Sequence, residues 1–225
     1  MKITRKTFLL LAVAGSKAAG QGRRWAMAID LEKCRKKPGC TLCMDACHKA
    51  HNVPAIPDRA RELKWIWKAP FARVFPEVEN AALAEVETPV LCNHCDNPPC
   101  VRVCPTGATW KRADGIVAMD WHRCIGCRYC VAACPYGSRS FNWMDPRPHI
   151  KQVNADFPTR TRGVVEKCTF CEERLARGQK PVCVEACPEG AMVFGELSQI
   201  AKMGRFSIRR KPQLGTKPEV FYIVS

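Results

Sequence analysis

The densest group of reactive side chains in the chain is a run of four cysteines that ends in a proline. The run is Cys124-Ile125-Gly126-Cys127-Arg128-Tyr129-Cys130-Val131-Ala132-Ala133-Cys134-Pro135. Its spacing, C-x2-C-x2-C-x3-C-P, is typical of bacterial loops that hold an iron–sulfur cluster, and the fourth cysteine of such a loop normally ligates a second cluster. Three closely spaced thiolates fit three corners of one cubane, and the proline turns the chain away. The run therefore predicts a partner run elsewhere in the sequence.

Three further groups of four cysteines can serve as partners. The chain has 225 residues and sixteen cysteines, and none falls outside the four groups. In chain order the groups are Cys34, Cys40, Cys43 and Cys47 (group 1); Cys92, Cys95, Cys100 and Cys104 (group 2); Cys124, Cys127, Cys130 and Cys134 (group 3); and Cys168, Cys171, Cys183 and Cys187 (group 4).

Clustered cysteines have other uses, and the spacing argues against each of them. Disulfide frameworks are common in exported chains, but they do not usually place three cysteines within seven residues ahead of a Cys-Pro pair. C-x2-C pairs also bind zinc, but four cysteines within eleven residues crowd a tetrahedral site. Covalent haem needs C-x-x-C-H, which the sequence lacks. An exported disulfide-rich binding module is the alternative from another functional class of protein. The brown colour and absorbance of iron–sulfur clusters would exclude it.

The basic composition agrees with several buried clusters. The formal net charge is +15 when thiols are counted as neutral. Each oxidised 4Fe-4S core with its four thiolates brings about −2, so four of them would lower the net charge to about +7. Lysine and arginine are scattered along the chain and no nucleic-acid recognition motif occurs. We therefore expect no nucleic-acid partner.

Short apolar stretches and turns repeat around the cysteine groups. The motif Cys-Pro-x-Gly followed by a small residue closes groups 2, 3 and 4. Strands are predicted at 25–30, 115–120 and 190–195, with strand fragments at 65–67 and 74–75 and an edge strand or docking segment at 219–224. The repeated unit is a strand, a cluster loop, a short helix and a Cys-Pro turn. Two units make one two-cluster ferredoxin, so the predicted fold is α+β, with nested two-cluster bacterial-ferredoxin-like domains and little regular secondary structure.

The ferredoxin rule that each fourth cysteine serves the other cluster predicts the ligand sets. Groups 2 and 3 are adjacent in sequence and pair with each other, which leaves group 1 to pair with group 4. The predicted ligands are Cys34, Cys40, Cys43 and Cys187 (cluster 1); Cys168, Cys171, Cys183 and Cys47 (cluster 2); Cys92, Cys95, Cys100 and Cys134 (cluster 3); and Cys124, Cys127, Cys130 and Cys104 (cluster 4). His94 and His122 lie near cluster loops, and we expect them to tune a potential or face solvent rather than bind iron.

This pairing predicts one module inserted in another. Residues 21–88 and 164–204 form the outer ferredoxin-like module, residues 89–163 form the inserted module with its linker, and residues 205–225 form a docking tail. Residues 1–20 combine a basic start with a short apolar run, and Thr4-Arg5-Lys6-Thr7-Phe8-Leu9 resembles a twin-arginine export signal with Lys6 in place of the second arginine. An N-terminal anchor or an ordinary soluble helix is the alternative. The apolar run is too short to span a bilayer.

The chain resembles a known family at these residues. The four groups in nested order, the segment Cys168-Thr169-Phe170-Cys171-Glu172-Glu173-Arg174 and the Cys-Pro pairs are similar to the four-cluster ferredoxin-like electron-transfer subunits of membrane oxidoreductases. The stretched first gap of group 1 and the segments 40–48, 52–54 and 214–222 resemble the O subunit of the sulfite-reductase-linked Dsr membrane complex. Its archaeal counterpart in the heterodisulfide-reductase-like (Hdr-like) menaquinol oxidoreductase is equally similar.

The resemblance implies a role and a set of partners. A subunit of this kind has no catalytic site of its own, binds no small-molecule substrate directly, and relays single electrons through four 4Fe-4S clusters. It lies at the extracytoplasmic (periplasmic) face of the cytoplasmic membrane, attached through an NrfD-type integral membrane quinone-binding subunit and a c-type cytochrome. Other membrane and cytoplasmic iron–sulfur subunits complete a menaquinone-linked complex of dissimilatory sulfur metabolism. The alternative is the beta subunit of a molybdopterin reductase, such as polysulfide or tetrathionate reductase.

Overall fold

The computed structural model describes residues 23–204 and 206–224. The twin-arginine-like segment predicted at residues 1–20 lies outside the described residues. In the described part the strands are Trp25–Asp30 (β1), Ile66–Pro70 (β2), Glu87–Leu91 (β3), Thr109–Lys111 (β4), Val117–Met119 (β5), Ser140–Phe141 (β6), Val165–Glu166 (β7), Met192–Glu196 (β8), Ser207–Ile208 (β9) and Val220–Ile223 (β10).

The helices of the same part are short. They are Leu31–Cys34 (α1), Leu42–Ala50 (α2), Phe71–Val74 (α3), Pro99–Arg102 (α4), Tyr129–Ala133 (α5), Glu172–Leu175 (α6), Val182–Glu185 (α7) and Leu197–Ile200 (α8), with 3₁₀ turns at Arg147–His149 and Pro212–Leu214. Most span a single turn, because the cysteine loops reverse the chain every few residues. The predicted α+β class with little regular secondary structure is confirmed. Among residues 23–204 and 206–224, no helix has the length and apolar character that crossing a membrane requires.

The main sheet has the strand order β8-β1-β10-β9 and joins the two ends of the described chain. Strand β1 pairs antiparallel with β8 and parallel with β10. Because side chains alternate along a strand, Met27 and Ile29 face the large core while Ala26 and Ala28 face a second cluster against Ile200 of α8. Burial on both faces explains the continuous apolar run that predicted this strand, and the prediction is confirmed.

Strand β10 corrects the expectation of an edge strand near the C-terminus. It lies between β1 and β9, and its side chains are buried, with Val220 and Tyr222 in the large core and Phe221 and Ile223 on the opposite face. An edge position would have left the backbone N–H and C=O groups on one side of β10 unpaired, whereas β9 pairs with Tyr222 and Ile223 on that side. The end of the predicted docking tail is therefore part of the sheet.

The predicted strand fragment at 74–75 is also wrong. Residues Phe71–Val74 form the helical turn α3, and the N–H of Phe75 donates to the carbonyl of Phe71. The turn places the rings of Phe71 and Phe75 side by side, with centroids 5.0 Å apart, and Phe75 then meets the edge of Tyr222 of β10. Aromatic packing across one helical turn decides the local structure here.

A buried ion pair fastens the segment before group 4 to the core. Arg160 donates to Glu166 at 2.7 Å, and both side chains are almost completely buried. Trp65 and Asn142 also donate to the Glu166 carboxylate, at 2.9 and 2.6 Å. Arg160 donates in addition to the carbonyl oxygen of His51, just after α2. The end of the predicted linker of the inserted module is therefore packed against the end of α2, the helix of group 1.

The tight approach of Gly126 to Gly163 gives a test of this packing. Gly126 has a φ of +71°, and a Cβ built on it would overlap the carbonyl oxygen of Gly163. Gly39 has a φ of +70° and also precedes a cysteine, but a Cβ there meets nothing within 4 Å. Both Gly126→Ala and Gly39→Ala place a side chain on backbone with positive φ, which strains it. Only Gly126→Ala adds a steric overlap, which destabilises the fold by about 1–3 kcal/mol more. Gly126→Ala should therefore lower the thermal unfolding midpoint more than Gly39→Ala does.

Each kcal/mol corresponds to about 2–4 °C in a chain of this size. Calorimetry or circular dichroism of the two variants, purified in the same anaerobic way, gives the comparison. Equal midpoints would contradict the close approach of the two loops.

Candidate metal centre

Three cavities are each lined by four cysteines that come from two different sequence groups. Numbered after the predicted clusters, the cysteines of the three cavities are Cys34, Cys40, Cys43 and Cys187 (set 1); Cys92, Cys95, Cys100 and Cys134 (set 3); and Cys104, Cys124, Cys127 and Cys130 (set 4). The structure thus brings together the cysteines that the ferredoxin rule groups, and their roles as iron ligands are taken up as a proposal below.

The fourth set, set 2, consists of Cys47, Cys168, Cys171 and Cys183, and all four are buried. Cys47 lies on α2 and Cys183 on α7, and these two helices pack against each other. Burial raises the pKa of Cys47 well above its ordinary value, and the thiolates of Cys168, Cys183 and Cys171 raise it further. Four thiols from distant parts of the sequence therefore face one another here as well.

The four sets lie in the spatial order 1-2-3-4. Cys43 of set 1 is near enough to Cys183 of set 2 for its charge to raise the pKa of Cys183. Burial and the neighbouring Cys92 of set 3 raise the pKa of Cys168, in set 2, to about 12. Cys100 of set 3 and Cys130 of set 4 interact in the same way. Each set is thus electrostatically coupled to the next one in the row.

The repeated Cys-Pro-x-Gly motif forms the same turn three times. The N–H groups of Gly107, Gly137 and Gly190 donate to the carbonyl three residues earlier, at 3.2–3.4 Å, and all three glycines have positive φ. This turn aims the next backbone N–H at the cysteine sulfur: Ala191 N–H donates to Cys187 Sγ at 3.3 Å. The proline, the glycine and the small residue are therefore required by a turn that hydrogen-bonds a thiolate.

These backbone donors counteract burial at Cys104. Burial raises the pKa of the Cys104 thiol, but hydrogen bonds from the N–H groups of Thr109, Thr106 and Ala108 and from the Thr106 hydroxyl lower it below its ordinary value. Group 1 departs from the pattern. His48 stands where the other groups have proline, and α2 continues through Cys47 to Ala50.

The four-thiol sites fit a 4Fe-4S cluster better than a single ion or a disulfide. All sixteen cysteines are free. A zinc ion would hold four sulfurs at about 2.3 Å, but the C-x2-C-x2-C-x3-C-P spacing of group 3 is that of a loop that holds a 4Fe-4S cluster. The buried amide of Asn93 lines the set 3 cavity and neither its nitrogen nor its oxygen has a protein partner among the described residues. Inorganic sulfide would accept from such an amide.

The protonation of the buried thiols agrees with a site built for metal. Burial raises the pKa of Cys43 to about 11 and that of Cys95 to about 12. These thiols are therefore neutral at pH 7 in the polypeptide alone. Coordination to iron supplies the positive charge that allows a buried thiol to ionise, so that cluster binding releases protons.

Some residues beside the sites are not signalled by cysteine spacing. Lys68 of β2 donates to the carbonyl of Cys40, and the guanidinium of Arg139 donates to Cys100 Sγ at 3.1 Å. The only feature of the sequence that points to a role for Arg139 is its position soon after a Cys-Pro turn. The contact with Cys100 could not be predicted because the two residues are far apart along the chain.

The two histidines near cluster loops differ in environment. His94 is buried, its Nδ1 accepts from the N–H of Val117 at 3.1 Å, and its ring stacks on Phe170 with centroids 3.7 Å apart. Burial and the charge of Lys167 hold the pKa of His94 well below its ordinary value, so the ring is neutral. His122 is exposed.

Comparison with known proteins identifies the family. The 4Fe-4S dicluster domain matches residues 84–148 and 152–197. The Hdr-like menaquinol oxidoreductase iron-sulfur subunit 1 of Archaeoglobus fulgidus is 45% identical, over 89% of this chain and 83% of its own. The menaquinone reductase iron-sulfur cluster-binding subunit of Nitratidesulfovibrio vulgaris is 38% identical, over 89% and 88%. A tetrathionate reductase subunit of Salmonella typhimurium is 41% identical, over 89% and 72%.

The first two relatives are named as iron–sulfur subunits of larger oxidoreductases, and the four cysteine sets provide the sites that such subunits need. On the dicluster match and on identities of 38–45% over most of each sequence, the chain belongs to the family of ferredoxin-like 4Fe-4S dicluster subunits and carries four 4Fe-4S clusters.

Proposed function

We propose that this chain relays single electrons along a row of four 4Fe-4S sites and converts no substrate itself. The observation that carries the proposal is the spatial order of the cysteine sets, in which each set is adjacent to the next. A bound 4Fe-4S cluster accepts and donates one electron. A row of such sites connects two surfaces of the subunit without a mobile carrier.

The ligands that we propose are the four sets defined above. In each set, three cysteines come from one sequence group and the fourth from its partner group. The polypeptide therefore holds each site from two directions and keeps the donor sulfurs in place. Burial of most of these sulfurs excludes water, and backbone N–H groups together with Arg139 and Lys68 place positive charge around the sites. These features adjust cluster potentials in iron–sulfur proteins.

The ligand sets support the nested division into modules that we propose. Set 1 and set 2 combine groups 1 and 4, and strands β1 and β8, which flank these groups, pair antiparallel. Set 3 and set 4 combine groups 2 and 3, and the hairpin β4–β5 lies between them. Residues 21–88 and 164–204 thus form the outer module and residues 89–163 the inserted one. Docking by residues 206–219 ahead of β10 remains part of this proposal.

The two ends of the row are where electrons would enter and leave. At set 4, the loop residues Ile125 and Tyr129 expose 67% and 62% of their surface, although both are large and apolar or aromatic. The guanidinium of Arg128 lies over the ring of the half-exposed Trp143 beside them. An exposed apolar surface of this kind next to a redox site favours contact with a partner subunit.

We further propose that the partners are those of a menaquinone-linked complex of dissimilatory sulfur metabolism. Support comes from the resemblance to the O subunit of the Dsr complex and from relatives named for menaquinol and menaquinone. In this assignment the chain lies at the periplasmic face of the membrane, exported by its twin-arginine-like signal. It connects an NrfD-type quinone-binding membrane subunit with a c-type cytochrome, and other iron–sulfur subunits complete the complex.

A second assignment has its own support. The tetrathionate reductase subunit of Salmonella typhimurium is 41% identical, and the iron–sulfur protein of Shewanella arsenate respiratory reductase is 35% identical. As the beta subunit of a molybdopterin reductase, the chain would contain the same row of sites. Only the partner at one end of the row would differ.

Paired cysteine substitutions test the shared ligation. Cys92→Ala combined with Cys134→Ala removes two ligands of set 3 alone, so we expect about twelve irons to remain per chain. Cys92→Ala combined with Cys104→Ala removes one ligand from set 3 and one from set 4, although both residues belong to one sequence group. This variant should retain fewer irons than the first.

Iron and acid-labile sulfide analysis after anaerobic purification makes the comparison, with the wild type at about sixteen irons. The reverse ranking, with more iron kept by the Cys92/Cys104 variant, would show that each sequence group binds its own cluster.

Capture of the tagged chain from native membranes under anaerobic conditions tests the partners. We expect an integral membrane subunit and the absorbance of haem c, without molybdenum, because the proposed complex joins a quinone-binding subunit to a cytochrome. Metal analysis and difference spectra of the captured complex provide the measurement. Molybdenum without haem c would transfer the chain to the molybdopterin reductases and leave the row of clusters unchanged.

A further inference from the structure

Arg139 is a buried cation located between two of the proposed cluster sites. It lies between the Cys-Pro turn that begins at Cys134 and strand β6, and only 4% of its surface is exposed. One guanidinium nitrogen donates to Cys100 Sγ of set 3 at 3.1 Å and to Thr109 Oγ1 at 2.8 Å. The other terminal nitrogen contacts Met119 Sδ at 3.8 Å. The side chain is therefore fixed by protein contacts at both terminal nitrogens.

The charge of Arg139 is not balanced by a carboxylate. Among residues 23–204 and 206–224 it forms no ion pair, whereas the buried Arg160 is paired with Glu166 at 2.7 Å. Arg139 lines the set 3 cavity, and its partners Thr109 and Met119 line the set 4 cavity. The acidic groups that act on its charge include the thiols of Cys100 and Cys92 of set 3 and Cys130 of set 4. A guanidinium stays protonated in proteins, and a buried charge without an opposite charge is strongly unfavourable.

The negative charge that balances Arg139 must therefore come from the two neighbouring sites. Each oxidised 4Fe-4S cluster with four thiolates brings about −2, and reduction adds one more negative charge. A fixed cation in a poorly solvated position stabilises the reduced state more than the oxidised state. The N–H···S bond to Cys100 acts in the same direction at set 3.

We propose that Arg139 is the shared counter-ion of the clusters at set 3 and set 4 and raises the reduction potential of both. The effect is larger at set 3, where the guanidinium touches a ligand sulfur. Arg139 thus adjusts the reduction potentials of two clusters in the relay. This inference rests on the proposed relay function.

Redox titration of anaerobic holoprotein, followed by electron paramagnetic resonance, tests the proposal. In Arg139→Gln the equilibrium constant for reduction of one cluster should fall at least tenfold, which is about 59 mV for a one-electron couple, and a second cluster should shift less in the same direction. Arg102→Gln is the matched control. Arg102 lies two residues from Cys100, but its side chain is exposed and donates to Asn97, so water screens its charge and the potentials should not move.

A second variant covers the case in which Arg139→Gln assembles fewer clusters. Arg139→Lys keeps the charge but loses the planar fork, so the set 3 potential should fall by less than in Arg139→Gln. Potentials in Arg139→Gln that equal the wild type with four clusters present would overturn the proposal. If Arg139→Gln loses iron, a fall of tenfold or more in the reduction equilibrium constant of set 3 in Arg139→Lys with four clusters present would overturn it instead, because the charge is retained in that variant. A wild-type protein without four clusters would instead refute the relay itself.

Discussion

The burial of negatively charged sulfur is the constraint on which the structure depends. Thiols such as Cys43 and Cys95 have pKa values of about 11 and 12 in this interior, so the polypeptide alone keeps them neutral. In the proposed ligation they ionise when they bind iron, and backbone N–H groups at the Cys-Pro turns and cations such as Arg139 lie beside the sulfurs that become negatively charged. The formal net charge of +15 also offsets the negative charge that four clusters bring. Folding around the sites and cluster binding are therefore coupled.

In the ligation proposed above, the clusters act as cross-links in a chain that has few long elements. Set 1 ties Cys34, beside β1, to Cys187, ahead of β8, and these strands pair in the main sheet. Set 3 and set 4 tie the loops on either side of the β4–β5 hairpin. With the proposed ligation, one-turn helices are sufficient because each cysteine loop is held both by its cluster and by the short strands beside it. The same cross-links place the four sites in a row, so the arrangement that stabilises the fold also forms the proposed path for electrons.

Cysteine spacing predicted the four sets because each cluster loop is a short stretch of sequence. The ferredoxin rule then requires only the order of these loops along the chain. Strand β1 was predictable for a similar reason, since a short and continuous apolar run is typical of a strand that is buried on both faces of a sheet. Sequence reasoning failed where distant residues decide the outcome. Val220–Ile223 became an interior strand through β9, Phe75 joined a helical turn by packing on Tyr222, and Arg139 reached Cys100 across the inserted module. Local pattern contains no information about these partners.

Iron anomalous scattering from crystals of the anaerobically purified protein tests the central claim most directly. The account predicts four iron centres in a row in the order 1-2-3-4, each surrounded by three cysteines of one sequence group and one of its partner group. Cys187 should lie at the centre held by Cys34, and Cys134 at the centre held by Cys92. A centre ligated by four cysteines of a single group, or single metal ions in place of cubanes, would contradict the account.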